Sequence, residues 1–261
     1  MLSYQHGFHA GNRADMLKHA VLDAILCELA DGPHSVLHVE THAGRGNYDL
    51  TGRQARKTGE AEQGVLAHWD SRAPAALAQW MELVRECGRQ AYPGSPALAA
   101  RRLGPRDRMV LFEKHPAEFE ALKGVFAGDR RVQIRKEDGY AGALRLSPRR
   151  GETLLAFADP SYETIADMER LAEWTPRALE KWPHAALVLW LPLFRDEREV
   201  EFGQFLAQLE DGVVAGARWP APADGKDTAL EGSAIVAYRI PQHLKRKASE
   251  IADTLGELWK D

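Results

Sequence analysis

The chain alternates short apolar runs with longer stretches in which apolar residues recur every three or four positions. The short runs are apolar on both faces, which is typical of strands buried between two layers of helices. The clearest helical stretch, 15–30, ends at the turn sequence Asp31-Gly32-Pro33. Such alternation predicts an α/β fold with a mainly parallel sheet and with ligands at the carboxyl ends of its strands. The predicted strands are 35–40, 109–113, 132–134, 153–158, 185–191 and 233–240.

Two regions depart from this simple alternation. Between 52 and 92 no run is typical of a strand and the pattern is helical, most clearly over 75–87, which predicts a helical insertion at about 52–92. Near the end, a helical stretch at 197–209 precedes a run at 213–219, which can pair with 233–240 as a terminal hairpin and brings the sheet to seven strands. We therefore expect a single domain over 1–261, with an amino-terminal tail and helix in 1–31.

Composition narrows the class of protein. Of 261 residues, 44% are hydrophobic and 28% are charged, as in ordinary globular proteins, and two cysteines cannot form a disulfide framework. The two cysteines, and an opening without a basic stretch followed by an apolar run, lead us to expect a cytoplasmic protein. The longest nearly unbroken apolar run, 185–194, is about half of the ~20 residues that a membrane helix needs, so we expect no segment to span a membrane. The net charge of −4 argues against indiscriminate nucleic-acid binding but allows a local basic face. Arginines cluster in two regions, at Arg101, Arg102, Arg106 and Arg108 and at Arg145, Arg149 and Arg150.

Acidic residues follow three of the predicted strands. The first strand ends at Glu40 and continues into a turn with Gly44 and Gly46, where backbone N–H groups can approach a ligand closely. The second ends at Glu113, where a carboxylate can accept hydrogen bonds from ribose hydroxyls. The third is followed by Asp138, which can accept a hydrogen bond from an adenine amino group. Each acid alone is more often a surface cap, but three acids at matching strand ends are less easily explained in that way and favour a nucleotide-like ligand.

The fourth strand gives the sharpest chemical signal, because it runs into Asp159-Pro160-Ser161-Tyr162. Asp159 and the carbonyl group of Pro160 could accept the two N–H groups of an exocyclic amine such as adenine N6, whose lone pair is otherwise delocalised into the ring. Tyr162 could stack on a flipped-out base, a contact worth roughly 1–3 kcal/mol. The alternative is that Asp159 and Pro160 only begin a turn and cap the next helix.

Four segments carry a resemblance to a known family: 1–19, Thr41-His42-Ala43-Gly44, Tyr92-Pro93-Gly94-Ser95-Pro96 and Asp159-Pro160-Ser161-Tyr162. Over nearly its whole length the chain resembles the RlmJ family of bacterial 23S ribosomal RNA adenine-N6 methyltransferases. The resemblance implies a Rossmann-like fold with a helical insertion, S-adenosylmethionine as the methyl donor and one adenine of 23S RNA as the target. It also implies cofactor contacts at His19, His42, Ser95, Glu113, Asp138 and Gly139, catalysis by Asp159 with Pro160 and Tyr162, and an RNA contact at Tyr4.

One position departs from the family pattern, which has proline where this chain has Ser161. Because that proline contributes rigidity rather than a reacting atom, we expect activity that is retained and at most weakened. Two other functions fit the same residues. A DNA adenine-N6 methyltransferase would use identical chemistry at Asp159, and a non-catalytic RNA-binding relative would bind without transferring a methyl group.

The histidines near the amino terminus allow two interpretations. His6, His9 and His19 lack the spacing of a metal site, so we expect no metal. His19 lies about 200° around its helix from Leu17, away from the apolar stripe. It is therefore either solvated or turned toward the cofactor, and the resemblance favours the cofactor. We expect the protein to be a monomer whose partner is 23S RNA, naked or partly assembled.

Overall fold

A computed structural model describes residues 5–220 and 230–260. Its helices are α1 (Arg13–Ala30), α2 (Arg53–Thr58), α3 (Glu60–Gln63), α4 (Ala78–Glu86), α5 (Ser95–Arg102), α6 (Pro116–Val125), α7 (Gly139–Ala143), α8 (Ile165–Lys181), α9 (Val200–Leu209) and α10 (Gln242–Leu258). Its strands are β1 (Ser35–Glu40), β2 (Asn47–Asp49), β3 (Ala91–Pro93), β4 (Arg108–Phe112), β5 (Val132–Arg135), β6 (Glu152–Ala158), β7 (Ala186–Phe194), β8 (Gly212–Arg218) and β9 (Leu230–Tyr238). Short 3-10 helices cover His6–Phe8 and Val65–His68.

Seven strands form one sheet in the order β5-β4-β1-β6-β7-β9-β8. The first five of these run parallel, and β9 runs antiparallel to both of its neighbours. The predicted α/β fold with a mainly parallel seven-stranded sheet is confirmed, as is the terminal hairpin. Because β4 and β6 flank β1 on opposite sides, the sheet grows in both directions from β1, which opens a crevice at the carboxyl ends of these strands.

Helices cover both faces of the sheet. On one face α1, α5 and α10 contribute Leu17, Leu98 and Ile251 to a large apolar core, and on the other α8 contributes Leu171 to a second core. Helix α1 buries more than its apolar stripe, because Asp15, Lys18, His19 and Asp23 are buried as well. His19 was expected to be either solvated or turned toward the cofactor, and the structure shows a buried imidazole.

The region predicted as a helical insertion contains α2, α3 and α4. The expectation that it contains no strand is wrong at its end, where β3 pairs antiparallel with β2 and places Tyr92 opposite Tyr48. Each of these strands has three residues, too few for an alternating pattern to show in the sequence. The ribbon holds the two ends of the insertion side by side, close to the end of β1.

Strand β7 runs farther than the sequence predicted, to Phe194 through Pro192. Its register with β6 ends at Leu189, whereas its register with β9 continues past Pro192. Beyond Leu189 the strand is therefore an edge strand on the β6 side, a position where a residue without an N–H group is tolerated.

Candidate active site

A cleft opens at the carboxyl edge of the parallel strands. Eight of the residues predicted from the sequence line it: His19, His42, Ser95, Glu113, Asp138, Gly139, Asp159 and Pro160. They come from α1, from the turn after β1, from α5 and from the segments that follow β4, β5 and β6. The structure therefore brings distant parts of the chain to one site, as expected for the switch point of an α/β sheet. Tyr4 lies outside the described residues.

Glu113 follows β4 and holds the turn after β1. Its Oε2 accepts a hydrogen bond from the backbone N–H of Gly44 at 2.8 Å, and its Oε1 accepts one from the N–H of His115 at 2.6 Å. Burial raises the pKa of Glu113, and the two backbone N–H groups oppose that shift. Each carboxylate oxygen can accept a second hydrogen bond. The side chain is therefore able to bind ribose hydroxyls while it also supports the turn.

Asp138 caps α7 and pairs with Arg170. Its Oδ1 accepts a hydrogen bond from the N–H of Ala141 at 3.1 Å, and its Oδ2 forms an ion pair with the guanidinium. Burial alone would raise the pKa of Asp138, but the bonds from Ala141 and Arg170 lower it on balance. A Cβ atom at Gly139 would lie 1.8 Å from the carbonyl oxygen of Thr41. No side chain fits there, so this glycine is what allows α7 to begin against the turn after β1.

His19 and His42 present neutral imidazole rings to the cleft. Burial lowers the pKa of His19 to about 3 and the pKa of His42 to about 4. The Nδ1 atom of His19 lies 2.7 Å from the hydroxyl oxygen of Tyr92, on which the imidazole stacks. The ring of His42 packs edge-on against Tyr140. A cationic ligand in the cleft therefore meets no positive charge on these two rings.

Ser95 begins α5 and is held by a buried network. Its hydroxyl donates to Oε2 of Glu40 at 2.7 Å, and Oε1 of Glu40 lies 2.8 Å from Nε2 of His38. Burial raises the pKa of Glu40, while the bonds from His38 and Ser95 oppose that shift. Glu40 thus acts on the cleft through Ser95. His38 was missed by sequence reasoning, although its position two residues before Glu40 places both side chains on one face of β1.

Asp159 follows β6 and pairs with Lys18 of α1, another residue that sequence reasoning missed. The Nζ atom of Lys18 lies 2.8 Å from Oδ2 of Asp159 and 2.9 Å from Oδ1 of Asp15, and the lysine side chain is 4% exposed. Burial favours the neutral amine, but the two carboxylates outweigh burial and raise the pKa of Lys18. The ammonium lies over the ring of Trp190, 4.8 Å from its centroid. The i, i+3 spacing of Asp15 and Lys18 is the sequence signal that could have found this pair.

Asp15 links this ion pair to the segment before α1. Its Oδ2 accepts a hydrogen bond from the N–H of Gly11 at 2.8 Å and lies 2.9 Å from Nε2 of His6. Burial would raise the pKa of Asp15, but its interactions with His6 and Lys18 lower that pKa well below its usual range. His6 also lines the cleft. The amino-terminal segment is therefore connected to Asp159 through a continuous chain of polar contacts.

Ser161 and Tyr162 occupy different environments. Ser161 lines the cleft, and within residues 5–220 and 230–260 neither its hydroxyl nor its N–H group makes a hydrogen bond. Tyr162 has a φ angle of 50°, and its hydroxyl donates to the carbonyl oxygen of Trp190 at 2.5 Å. The structure does not place Tyr162 on the cleft wall. Stacking of this ring on a base requires the loop to change conformation, and that contact stays a prediction.

The described residues offer no centre of metal or thiol chemistry. No group of three or more His, Cys, Asp or Glu side chains among them is arranged to hold a metal ion. Burial raises the pKa of Cys27 to about 11 and also raises that of Cys87, which disfavours the reactive thiolate. In the same part of the chain no helix is long and apolar enough to cross a membrane.

The sheet order, the antiparallel strand β9 and a cleft with carboxylates after three parallel strands define a Rossmann-like methyltransferase. Methyltransferases of this family and fold in general use S-adenosylmethionine. The chain belongs to the RlmJ family: the family model described as "Ribosomal RNA large subunit methyltransferase D, RlmJ" matches residues 33–259. This confirms both the resemblance found in the sequence and the enzyme class that it implies.

Individual relatives agree with this assignment. The chain is 33% identical over 198 residues to Ribosomal RNA large subunit methyltransferase J of Escherichia coli strain K12, covering 74% of this chain and 71% of the relative. It is 28% identical over 257 residues to the protein of the same name from Haemophilus influenzae, covering 96% of this chain and 92% of the relative. A crystal structure of a Legionella pneumophila protein superposes with a TM-score of 0.85 at 24% identity. The match covers 96% of this chain and 94% of that protein, and it supports the fold.

Proposed function

We propose that this chain transfers a methyl group from S-adenosylmethionine to the N6 amino group of an adenine in 23S ribosomal RNA. The observation that carries this proposal is the ion pair of Asp159 and Lys18 in the cleft, with 2.8 Å between Oδ2 and Nζ. Lys18 occupies Oδ2, and Oδ1 makes no hydrogen bond with any residue in 5–220 or 230–260. One oxygen of a charge-compensated carboxylate is therefore available to an N–H group of the substrate.

The chemistry of adenine explains why such an oxygen is needed. The lone pair of N6 is delocalised into the ring, and two acceptors that hold its N–H groups in a tetrahedral arrangement return that pair to the nitrogen. Oδ1 of Asp159 and the carbonyl oxygen of Pro160 supply these acceptors, and both residues line the cleft. Lys18 holds the carboxylate in place. After transfer the nitrogen carries one surplus proton, which passes to water at the open side of the cleft.

The side chains of the cleft fit the methyl donor. Glu113 would hold the ribose hydroxyls, since each of its oxygens keeps one free lone pair. Asp138, directly before the tightly packed Gly139, would accept the amino group of the donor's adenine. The neutral rings of His19 and His42 add no positive charge beside a sulfonium ion. When bound, the donor supplies the electrophilic methyl group.

Family membership supports RNA of the large ribosomal subunit as the substrate. We take naked or partly assembled 23S RNA as the partner and the monomer as the active species, acting in the cytoplasm. The same acceptors at Asp159 and Pro160 would also serve adenine in DNA. A second alternative is a non-catalytic RNA-binding relative, which would bind ligands in the same cleft without transferring a methyl group.

The deciding experiment compares wild-type protein with Asp159→Asn and with Asp253→Asn, a matched change at an exposed residue of α10. Each is incubated with methyl-labelled donor and unmodified 23S RNA, and the labelled base is identified. We expect N6-methyladenine from wild type and from the Asp253 variant, and a rate about 10²–10⁴-fold lower for Asp159→Asn. Retention of more than about a tenth of the rate by Asp159→Asn contradicts its role.

The same assay separates the alternatives. Affinity for S-adenosylhomocysteine, measured by calorimetry, should be nearly equal in wild type and in Asp159→Asn, because this carboxylate acts on the substrate amine. Efficient labelling of DNA that outcompetes RNA would assign the DNA reaction. Binding of donor and RNA without any transfer by wild type would assign the non-catalytic function.

A further inference from the structure

Helix α2 carries a strongly basic exposed surface, which we call the basic ridge and define as Arg53, Arg56 and Lys57. All three side chains are exposed. The other side of the same helix is occupied, because Ala55 is buried and Gln54 contacts the amino-terminal segment. Within the described part of the chain none of the three ridge cations takes part in an ion pair. Arg56 interacts electrostatically with the exposed carboxylate of Asp49 without forming a direct ion pair. The three cations are therefore accessible to an external anion.

The ridge lies on the outside of the segment that forms one wall of the cleft. The Nε2 atom of Gln54 donates to Oε1 of Gln5 at 2.6 Å, and the Lys57 ammonium lies 5.5 Å from the ring centroid of Phe8. A Cβ atom at Gly7 would lie 2.3 Å from Oε1 of Gln54, so the two segments are in close contact. Between Gln5 and Phe8 the chain places His6 in the cleft. The ridge is thus one layer of chain away from the proposed substrate site.

The arginine clusters singled out from the sequence are less suited to a polyanion. Arg102 pairs with Asp23 at 2.7 Å and Arg108 with Glu152 at 2.6 Å, so carboxylates compensate both. In the second cluster Arg145 pairs with Glu137. Of the exposed members without an ion pair among the described residues, Arg101 lies in the last turn of α5, and Arg106, Arg149 and Arg150 lie in loops that precede β4 and β6. Those loops are at the amino edge of the parallel strands, opposite the cleft.

We propose that the basic ridge binds phosphate groups of the RNA strand next to the target adenine. This inference rests on the proposed function, and it names the part of the surface that holds the substrate. Six residues of α2 cover about 9 Å of helix axis, a length that can face about two or three neighbouring phosphates of one RNA strand. Three cations in five positions therefore match a short backbone segment. Such contacts supply affinity and register without reading the sequence of the RNA.

The test removes the ridge charge without removing the side chains. A triple variant, Arg53→Gln, Arg56→Gln and Lys57→Gln, is compared with wild type for binding of a fluorescent 23S RNA fragment at several salt concentrations. Each lost phosphate contact lowers the slope of log Kd against log salt by about 0.7 for a single strand. We expect a slope smaller by about 2 and an affinity weaker by about tenfold. Affinity for S-adenosylhomocysteine should stay within twofold of wild type.

Two further variants make the result specific to the ridge. The matched control, Arg106→Gln, Arg149→Gln and Arg150→Gln, removes the same charge at the amino edge and should bind RNA with the wild-type slope. A double variant, Arg53→Lys and Arg56→Lys, keeps the charge and should retain most of the affinity. Methylation kinetics should show a raised KM for RNA in the ridge triple, with kcat changed much less than KM.

Three results overturn the proposal. If the ridge triple variant binds RNA with the affinity and salt slope of wild type, the ridge does not contact RNA. That result is also expected if the ridge binds an acidic protein instead. Equal losses in the ridge and control triples show general attraction rather than a site. Loss of affinity in the charge-preserving double variant shows a packing defect. Failure of the proposed function is distinguishable, because wild type would then bind 23S RNA through the ridge yet transfer no methyl group.

Discussion

Replacing Lys18 with methionine tests the centre of the site, because methionine approximates the length of the lysine stem and removes only the ammonium. In the structure Nζ lies 2.8 Å from Asp159 and 2.9 Å from Asp15, and the lysine side chain is 4% exposed. The variant leaves two carboxylates in a buried environment with one cation fewer. Breaking a buried ion pair by removing one partner costs about 3–5 kcal/mol. At about 2–4 °C for each kcal/mol, the melting temperature should fall by at least about 6 °C.

A double variant separates stability from catalysis. Asp15→Asn combined with Lys18→Met removes the more deeply buried carboxylate, while Asp159, 15% exposed, keeps access to water. The double variant should therefore recover more than half of the lost stability. Methyl transfer should stay at least about tenfold below wild type in both proteins, because Asp159 has lost the group that positions it.

Thermal melting, calorimetry with S-adenosylhomocysteine and initial rates of methyl transfer measure the three quantities. Donor affinity should change little, since Lys18 contacts the acceptor side of the site. A Lys18→Met protein with the wild-type transfer rate would refute the argument that this ammonium positions Asp159. A loss of stability below about 1 kcal/mol would show that the ion pair is no stronger than an exposed one.

Three other changes give independent predictions. Glu113→Ala should weaken binding of S-adenosylhomocysteine by roughly 1.5–3 kcal/mol, whereas Glu113→Gln, which keeps one acceptor oxygen, should lose less by calorimetry. Ser161→Pro should raise the free energy of unfolding by about 0.4–1 kcal/mol, since the Ser161 N–H makes no hydrogen bond with the described residues. The rate of methyl transfer should stay equal or rise. A fall in both the melting temperature and the transfer rate would contradict this prediction. Protonation of His19 in the unfolded chain should lower the free energy of unfolding by about 2 kcal/mol as the pH falls from 7 to 5. The unfolded chain binds a proton at His19 near pH 6.5 while the folded chain keeps it neutral down to about pH 3, so His19→Gln should flatten the pH dependence of denaturant melts across that window.

The sheet was predictable because its strands are long enough to show as apolar runs between helices. The three-residue strands β2 and β3 carry no such pattern, and only their pairing in three dimensions defines them. The end of β7 was hidden by Pro192, which is usually a sign that a strand has stopped. Prediction thus failed where an element depends on its neighbour rather than on its own sequence.

The site followed the same rule. Carboxylates at strand ends, such as Glu113 and Asp159, were found because the topology of a parallel sheet fixes where such residues meet. Lys18 was not found, because a lysine in a helix usually faces water and its partner Asp159 lies 141 positions away. The left-handed backbone of Tyr162, which turns its ring toward Trp190, also leaves no trace in the sequence.

The contact between α1 and the end of β6 has a consequence for biosynthesis. Asp159 leaves the ribosome 141 residues after Lys18. At about 5–20 residues per second, the lysine waits roughly 7–28 s for its partner. Glu113 and Asp138 are synthesised late in that interval, and both precede Asp159. The ion pair of Lys18 and Asp159 can therefore form only after β6 has been synthesised, and until then Lys18 lacks one of its two carboxylate partners.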